Sequence, residues 1–491
     1  NNEQNIEAHV FGAVADTDVT NSITFDKCYF NQNNHDSNGA DSILDLQYFE
    51  AALISFENCI FEDNSGRCIT QENEVTCTTR IKNTTFNANH GGTGCVIYAI
   101  ESSFNKNPYI TIEDCIFTNN KASFGYQARA PVCVDTTSTV FAGVNYFINN
   151  EVHQESEDTE NINSNGGSLL INQIEPAEYK LSNLIFNNSY SDANGGALTV
   201  FAGDLEGKGE PTSLFISIYN CTFENCTSAK QGGAIQCGTQ AFSDDFTRDN
   251  DMNISYCTFI KCQSPQGGAL YFMDGDADGD EETVIEYCTF DGCIGSTGSA
   301  IFCRSYKFMM SHSIIKNSKV VGTETEISDT ESFLFVYLNE AGIQPVVDNC
   351  TFLNNEQNIE FQSHGPVVGD EGLTSTINFT KCTFTQNNQD DTVGITSILD
   401  LQYIQALLVT FEQCLFDNNS GQCILQASEI TCHTNIKNCT FNANHGGSGC
   451  CIYALENEYM KTPYMTIEDC IFSNNKASFG YQARAPVCVD T

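Results

Sequence analysis

Residues 110–120 read Ile-Thr-Ile-Glu-Asp-Cys-Ile-Phe-Thr-Asn-Asn. Ile110 and Ile112 alternate with polar residues at a period of two, as on a half-buried strand. Glu113 and Asp114 then break the phase, which predicts a corner. Cys115 and Phe117 resume the alternation. Asn120, three residues beyond the phenylalanine, predicts a second corner, because asparagine tolerates the left-handed backbone of a tight bend. The pattern recurs with different neighbours. Val347-Asp348-Asn349-Cys350-Thr351-Phe352-Leu353-Asn354-Asn355 is another copy. Anchors run from Phe30 to Phe472 in fifteen units, 25 to 39 residues apart, with Ile315 standing for one phenylalanine. Ten of the fifteen corner positions hold asparagine. After several anchors comes a Gly-Gly-small-apolar stretch, such as Gly195-Gly196-Ala197-Leu198 and Gly232-Gly233-Ala234-Ile235. That adds a third bend and a third strand. Three short strands and three bends per unit describe one coil of a parallel β-helix, whose equivalent residues stack along the axis.

A longer repeat encloses the short one. Residues 1–136 return as 354–491, and residues 50–136 share 61 of 87 positions with 405–491. The period is about 355 residues. The expectation is one continuous β-helix over 1–491, cut from a tandem array and continuing end to end as a filament.

Composition narrows the function classes. The chain has 63 acidic and 21 basic residues and a net charge of −42, with only 17% charged residues. That excludes a nucleic-acid partner, whose phosphates need a basic surface, and favours divalent cations or a repulsive, soluble surface. Hydrophobic residues are 41%, enough for a core. No run of 18 apolar residues suggests a transmembrane segment. Twenty-five cysteines point to secretion into an oxidising space. Nine Asn-x-Ser/Thr sequons, at Asn83, Asn187, Asn220, Asn225, Asn253, Asn349, Asn378, Asn418 and Asn438, predict N-linked glycans. An extracellular or cell-surface glycoprotein is expected. Asn83, Asn220, Asn349 and Asn438 occupy one place, directly before the Cys position of their units.

The Phe-x-x-Asn and Gly-Gly-Ala-[Ile/Leu] motifs, in register along nearly the whole chain, resemble the polymorphic outer membrane protein repeat family. The resemblance implies an all-β, right-handed parallel β-helix of about 15 coils, displayed at a surface and adhesive, with no catalytic residues. The cysteines and sequons depart from the bacterial pattern and favour a protist surface protein.

Three chemical readings remain. Asp274-Gly-Asp276-Ala-Asp278-Gly-Asp280 has the alternating carboxylates of a calcium loop, although Ile285 stands where a bidentate Glu belongs. Paired carboxylates could also serve acid–base chemistry. Arg248 beside Asp244–Asp251 is the best such case, but no family motif surrounds it. The expected answer is therefore no enzyme, with a carbohydrate-acting lyase or hydrolase as the alternative. His90 and His445 read as structural bend residues, and Glu151–Glu160 as an exposed acidic insert. Lastly, the second copy adds only Cys439 and Cys451, where the first has Thr84 and Val96. Their joint appearance predicts a Cys439–Cys451 disulfide, set against two buried thiols. The Cys-x-Phe-x-x-Cys pairs, such as Cys257/Cys262, follow a coil and read as disulfides or buried thiols.

Overall fold

A computed structural model describes residues 6–7, 22–33, 42–46, 53–71, 78–99, 109–123, 129–135, 139–153, 166–173, 178–202, 214–238, 250–273, 282–305, 307–321, 332–338, 345–363, 376–388, 397–401, 408–426, 433–447, 449–454, 464–477 and 485–489. The described residues form only strands and bends, and every strand pairing is parallel. The chain is a parallel β-helix. It divides into two compact units, Asn1–Arg248 and Asp249–Thr491.

One coil of the first unit shows how the sequence bends. Tyr109–Glu113 is the leading strand, with Ile110 and Ile112 buried. Asp114 takes a left-handed φ of 52° and turns the chain, which brings Cys115 inward. Ile116–Thr118 is the anchor strand, with Phe117 buried between exposed Ile116 and half-buried Thr118. Asn119 makes the second left-handed corner, φ 55°. Buried Asn120 leads into the short strand Lys121–Ala122, and Val132–Asp135 forms the third face.

This corrects the expected corner. The left-handed residue is not the asparagine three beyond the phenylalanine but the one before it. That place holds asparagine in eight of the fifteen coils but also Ala88 (φ 54°), Lys261 (φ 51°) and Gln386 (φ 55°), so asparagine is common there without being required. Left-handed backbone costs about 1–2 kcal/mol per residue outside glycine, yet every coil accepts it. The bend turns the next residue inward, and there asparagine has a specific use.

Those inward asparagines form a ladder. In the first unit the Nδ2 of Asn33, Asn64, Asn89 and Asn120 each donates to the Oδ1 of the next member, at 2.8 to 3.0 Å, ending at Asn150. The second Nδ2 hydrogen reaches an anchor carbonyl of the preceding coil, as from Asn120 to Phe86 at 3.0 Å. Each Oδ1 also accepts a backbone N–H, as from Asn89 to Asn120 at 3.1 Å. Donors and acceptors are used in full, as burial requires. The second unit repeats the device from Asn355 through Asn387, Asn419 and Asn444 to Asn475.

Beside the ladder the anchors stack. In the first unit Phe30, Phe61, Phe86, Phe117, Phe147, Phe186 and Phe223 pair directly across strands, with ring centroids 4.4 to 5.1 Å apart. In the second, Phe352, Phe384, Phe416, Phe441 and Phe472 stack at 4.6 to 5.0 Å. Each buried ring removes roughly 150–250 Å² from water, so these columns are the core.

Candidate functional site

Just beyond the ladder, the first unit carries a narrow face of two-residue strands: His90–Gly91, Lys121–Ala122, Glu151–Val152, Tyr190–Ser191 and Thr227–Ser228. The second residue of each points into the core. The first points outward, so His90, Lys121, Glu151, Tyr190 and Thr227 form one outward column, paired in register. Two residues on, His153 and Asp192 point out beside it.

These side chains interlock. His153 Nε2 lies 3.1 Å from Glu151 Oε2, and its Nδ1 lies 3.4 Å from Asp192 Oδ2. A neutral imidazole has one N–H, so only the imidazolium donates to both carboxylates at once. Lys121 Nζ reaches the other Glu151 oxygen at 3.2 Å. The Tyr190 ring lies 5.2 Å from the imidazole, and its hydroxyl donates to Asp192. Burial raises the Glu151 carboxyl, but hydrogen bonds from His153 and Lys121 outweigh it and hold the group below its usual range. Burial, aided by the bond to Asp192, pushes the Tyr190 phenol up to about 12. The cluster therefore offers two carboxylate acceptors, an ammonium, an imidazole and a phenol on a half-exposed surface. Such a set can hold a polyhydroxyl ligand. Two carboxylates flanking a proton carrier also have the makings of general acid–base chemistry.

The sequence reading missed these residues. It took Glu151 as part of an exposed insert, whereas Glu151 is half-buried in a strand. Aligning coils on the ladder would have found them: Glu151 and Tyr190 each follow a ladder residue (Asn150, Ser189), with His153 and Asp192 two places further. His90 sits in this column as well, and the second unit repeats its register as His445 beside Lys476.

The other predicted sites fare differently. Asp274, Asp276, Asp278 and Asp280 lie outside the described residues, as do Asp244, Asp245 and Arg248. Asp251 is described and accepts the Glu282 backbone N–H at 2.8 Å. Among the described residues no group of three or more His, Cys, Asp or Glu could hold a metal ion. No helix among them is long and apolar enough to cross a membrane. Asn83, Asn220, Asn349 and Asn438 are exposed and hold the left-handed corner before the Cys position, with φ from 47° to 53°. Asn253 is exposed too, and Asn187, Asn225, Asn378 and Asn418 are half-buried.

The Cys439–Cys451 disulfide is not made. Both are free thiols. They stand on different faces: Cys439 precedes the anchor strand Thr440–Asn442, and Cys451 precedes the third-face strand Ile452–Ala454. The Cys439 thiol touches that of Cys414, and Cys451 touches Cys450. In a β-helix an inward residue meets its equivalents one coil away, so a shared coil does not make two cysteines neighbours. The corner thiols are hydrogen-bond donors. Cys115 Sγ points to the Ile81 carbonyl at 3.5 Å, as Thr84 does to Phe56 (3.4 Å) and Asn145 to Ile112 (3.4 Å). Small polar donors are interchangeable there.

No protein-family model matches the chain, and no curated protein matches it. Among solved structures it is similar to the catalytic domain of a GH87 alpha-1,3-glucanase in complex with tetrasaccharides. The identity is 13% and the TM-score 0.32, over 81% of this chain and 67% of that one. The expectation of no enzyme is withdrawn, since Asp192 joins Glu151 and His153 from the next coil. The expectation rested on the lack of a sequence motif around paired carboxylates, and a β-helix assembles such groups from separate coils.

Proposed function

We propose that the chain is an extracellular, glycosylated β-helix with a structural and adhesive role, which engages carbohydrate through Glu151, His153, Tyr190 and Asp192. The observation that carries this reading is the imidazole of His153 held between two carboxylates on an outward face. The net charge of −42 favours neutral or amino-sugar chains over acidic ones. Calorimetric titration with a panel of neutral, amino and acidic oligosaccharides tests it. Binding of a neutral or amino-sugar member is expected, weakened at least about tenfold, or 1.4 kcal/mol, by Glu151→Gln with Asp192→Asn. No binding across the panel, or equal binding by the double variant, refutes the site.

A second reading, favoured by the paired carboxylates, is cleavage of a glycosidic bond by the same cluster. Release of reducing ends from the bound oligosaccharide, lost in Glu151→Gln, separates it from binding alone.

The repeat of about 355 residues supports end-to-end association in a filament, and the registered Phe-x-x-Asn and Gly-Gly-Ala motifs support kinship with the polymorphic outer membrane protein repeats. Electron microscopy of native material should show fibres; isolated particles of one length would argue against the filament. Sugars at the exposed corner asparagines would shield that edge from lateral aggregation. The intact mass of secreted protein should fall after N-glycosidase, and an unchanged mass would remove the glycan assignment. The Asp274–Asp280 spacing supports calcium as the bound ion.

A further inference from the structure

The second unit holds a run of five cysteines in one column, Cys350, Cys382, Cys414, Cys439 and Cys470, one per coil in five consecutive coils; Ser313 separates them from Cys257 and Cys288, earlier in the same column. Strand pairs in direct register bracket every step. Asp348↔Thr380 and Thr351↔Thr383 flank the first pair of cysteines, and Thr380↔Glu412 and Thr383↔Leu415 the second. Glu412↔Lys437 and Leu415↔Thr440 flank the third, and Lys437↔Glu468 and Thr440↔Ile471 the fourth. Successive members are thus one strand spacing apart, about 4.8 Å between Cα atoms, within the roughly 4.4–6.8 Å that a disulfide spans. The Cys414 thiol touches both Cys382 and Cys439. Each thiol otherwise donates only to a carbonyl, as Cys382 to Val347 at 3.2 Å and Cys439 to Phe411 at 3.4 Å. Thiols are weak donors, so bonding them to one another forfeits little.

We propose that this column closes into coil-to-coil disulfide rungs as the chain folds against a disulfide oxidant, such as oxidised glutathione or a protein disulfide. One column thiolate attacks the oxidant's S–S bond, forms a mixed disulfide and releases one thiol. The neighbouring column thiol loses its proton, attacks the mixed disulfide and releases the second. Two electrons pass from the column pair to the oxidant for each rung. Five thiols allow two rungs and leave one thiol. Until the coils close, that thiol can attack an adjacent rung, so rungs can shift along the column by exchange. Burial raises the Cys350 thiol to about 12. Cys414 is also raised to about 12, first by its contact with Cys382 and then by burial. The finished column therefore holds little thiolate, so rungs form before the coils close and are protected afterwards.

The test is a peptide map of the chain secreted from eukaryotic cells, with free thiols blocked in denaturant before digestion. The expected result is linked peptides joining consecutive members of this column, with one of its five thiols blocked. Five blocked thiols, or a link from Cys439 to Cys451 or to any other column, would overturn the proposal. Cys414→Ser gives a second reading. Serine occupies this column naturally at Ser313, where it accepts the Cys288 N–H at 3.0 Å. The variant should carry Cys350–Cys382 and Cys439–Cys470 links together, and a random mixture of pairs would refute the column rule.

Discussion

A Gly196→Ala chain is expected to lose more than about 4 kcal/mol of stability, or to fail to accumulate as folded protein. A Cβ at this position would lie 2.0 Å from the Gly233 carbonyl oxygen and 2.6 Å from the Thr227 backbone. The next coil cannot withdraw, because Gly196, Ala197 and Leu198 all donate backbone N–H groups to it at 3.0 Å. Gly167 approaches Gly196 in the same way. The second glycine of the Gly-Gly motif is thus a contact between coils, not a source of flexibility. Gly292→Asn is the control. Its φ of 66° is left-handed, but the nearest atom to a Cβ is a Lys261 side-chain carbon at 3.5 Å, and Asn317 holds the equivalent corner one coil on. That change should stay within about 1 kcal/mol. Urea unfolding followed by circular dichroism reads both, and a Gly196→Ala midpoint equal to that of the parent would sink the argument.

Asn120→Leu is expected to destabilise by at least about 3 kcal/mol, although leucine matches asparagine in shape and is more apolar. Four partners are lost: the Asn89 backbone N–H and side-chain amide, the Phe86 carbonyl and the Asn150 Oδ1. All are buried, and a buried group left unsatisfied costs about 1–3 kcal/mol. Asn33→Leu is the internal comparison, since Asn33 is half-buried and bonds only to Asn64 in the ladder. It should cost under about 1 kcal/mol. Equal unfolding midpoints for the two variants would show that the ladder does not carry the stability assigned to it.

The inward and outward sense of every coil was legible in the sequence. Ile112, Cys115 and Phe117 alternate as strand residues must, and the anchors recur often enough to demand stacking. The close-packed glycines were legible as bends. Less accessible was which corner residue takes the left-handed backbone. Asparagine suits that conformation, but it also suits a buried ladder with two donors and an acceptor to satisfy, and composition does not separate the two uses.

Local period alone determined that this chain is a β-helix with a phenylalanine core, because strand alternation and bends are properties of neighbouring residues. Tertiary structure decided what meets across coils. Coils differ in length by up to fourteen residues, so sequence distance says little about contact. Asp192 reaches His153 from 39 residues away, while Cys439 and Cys451, in one coil, stand on separate faces. The acid–base cluster and the thiol column exist only because register between coils places equivalent positions one strand spacing apart, at the distance where hydrogen bonds, ion pairs and disulfides form.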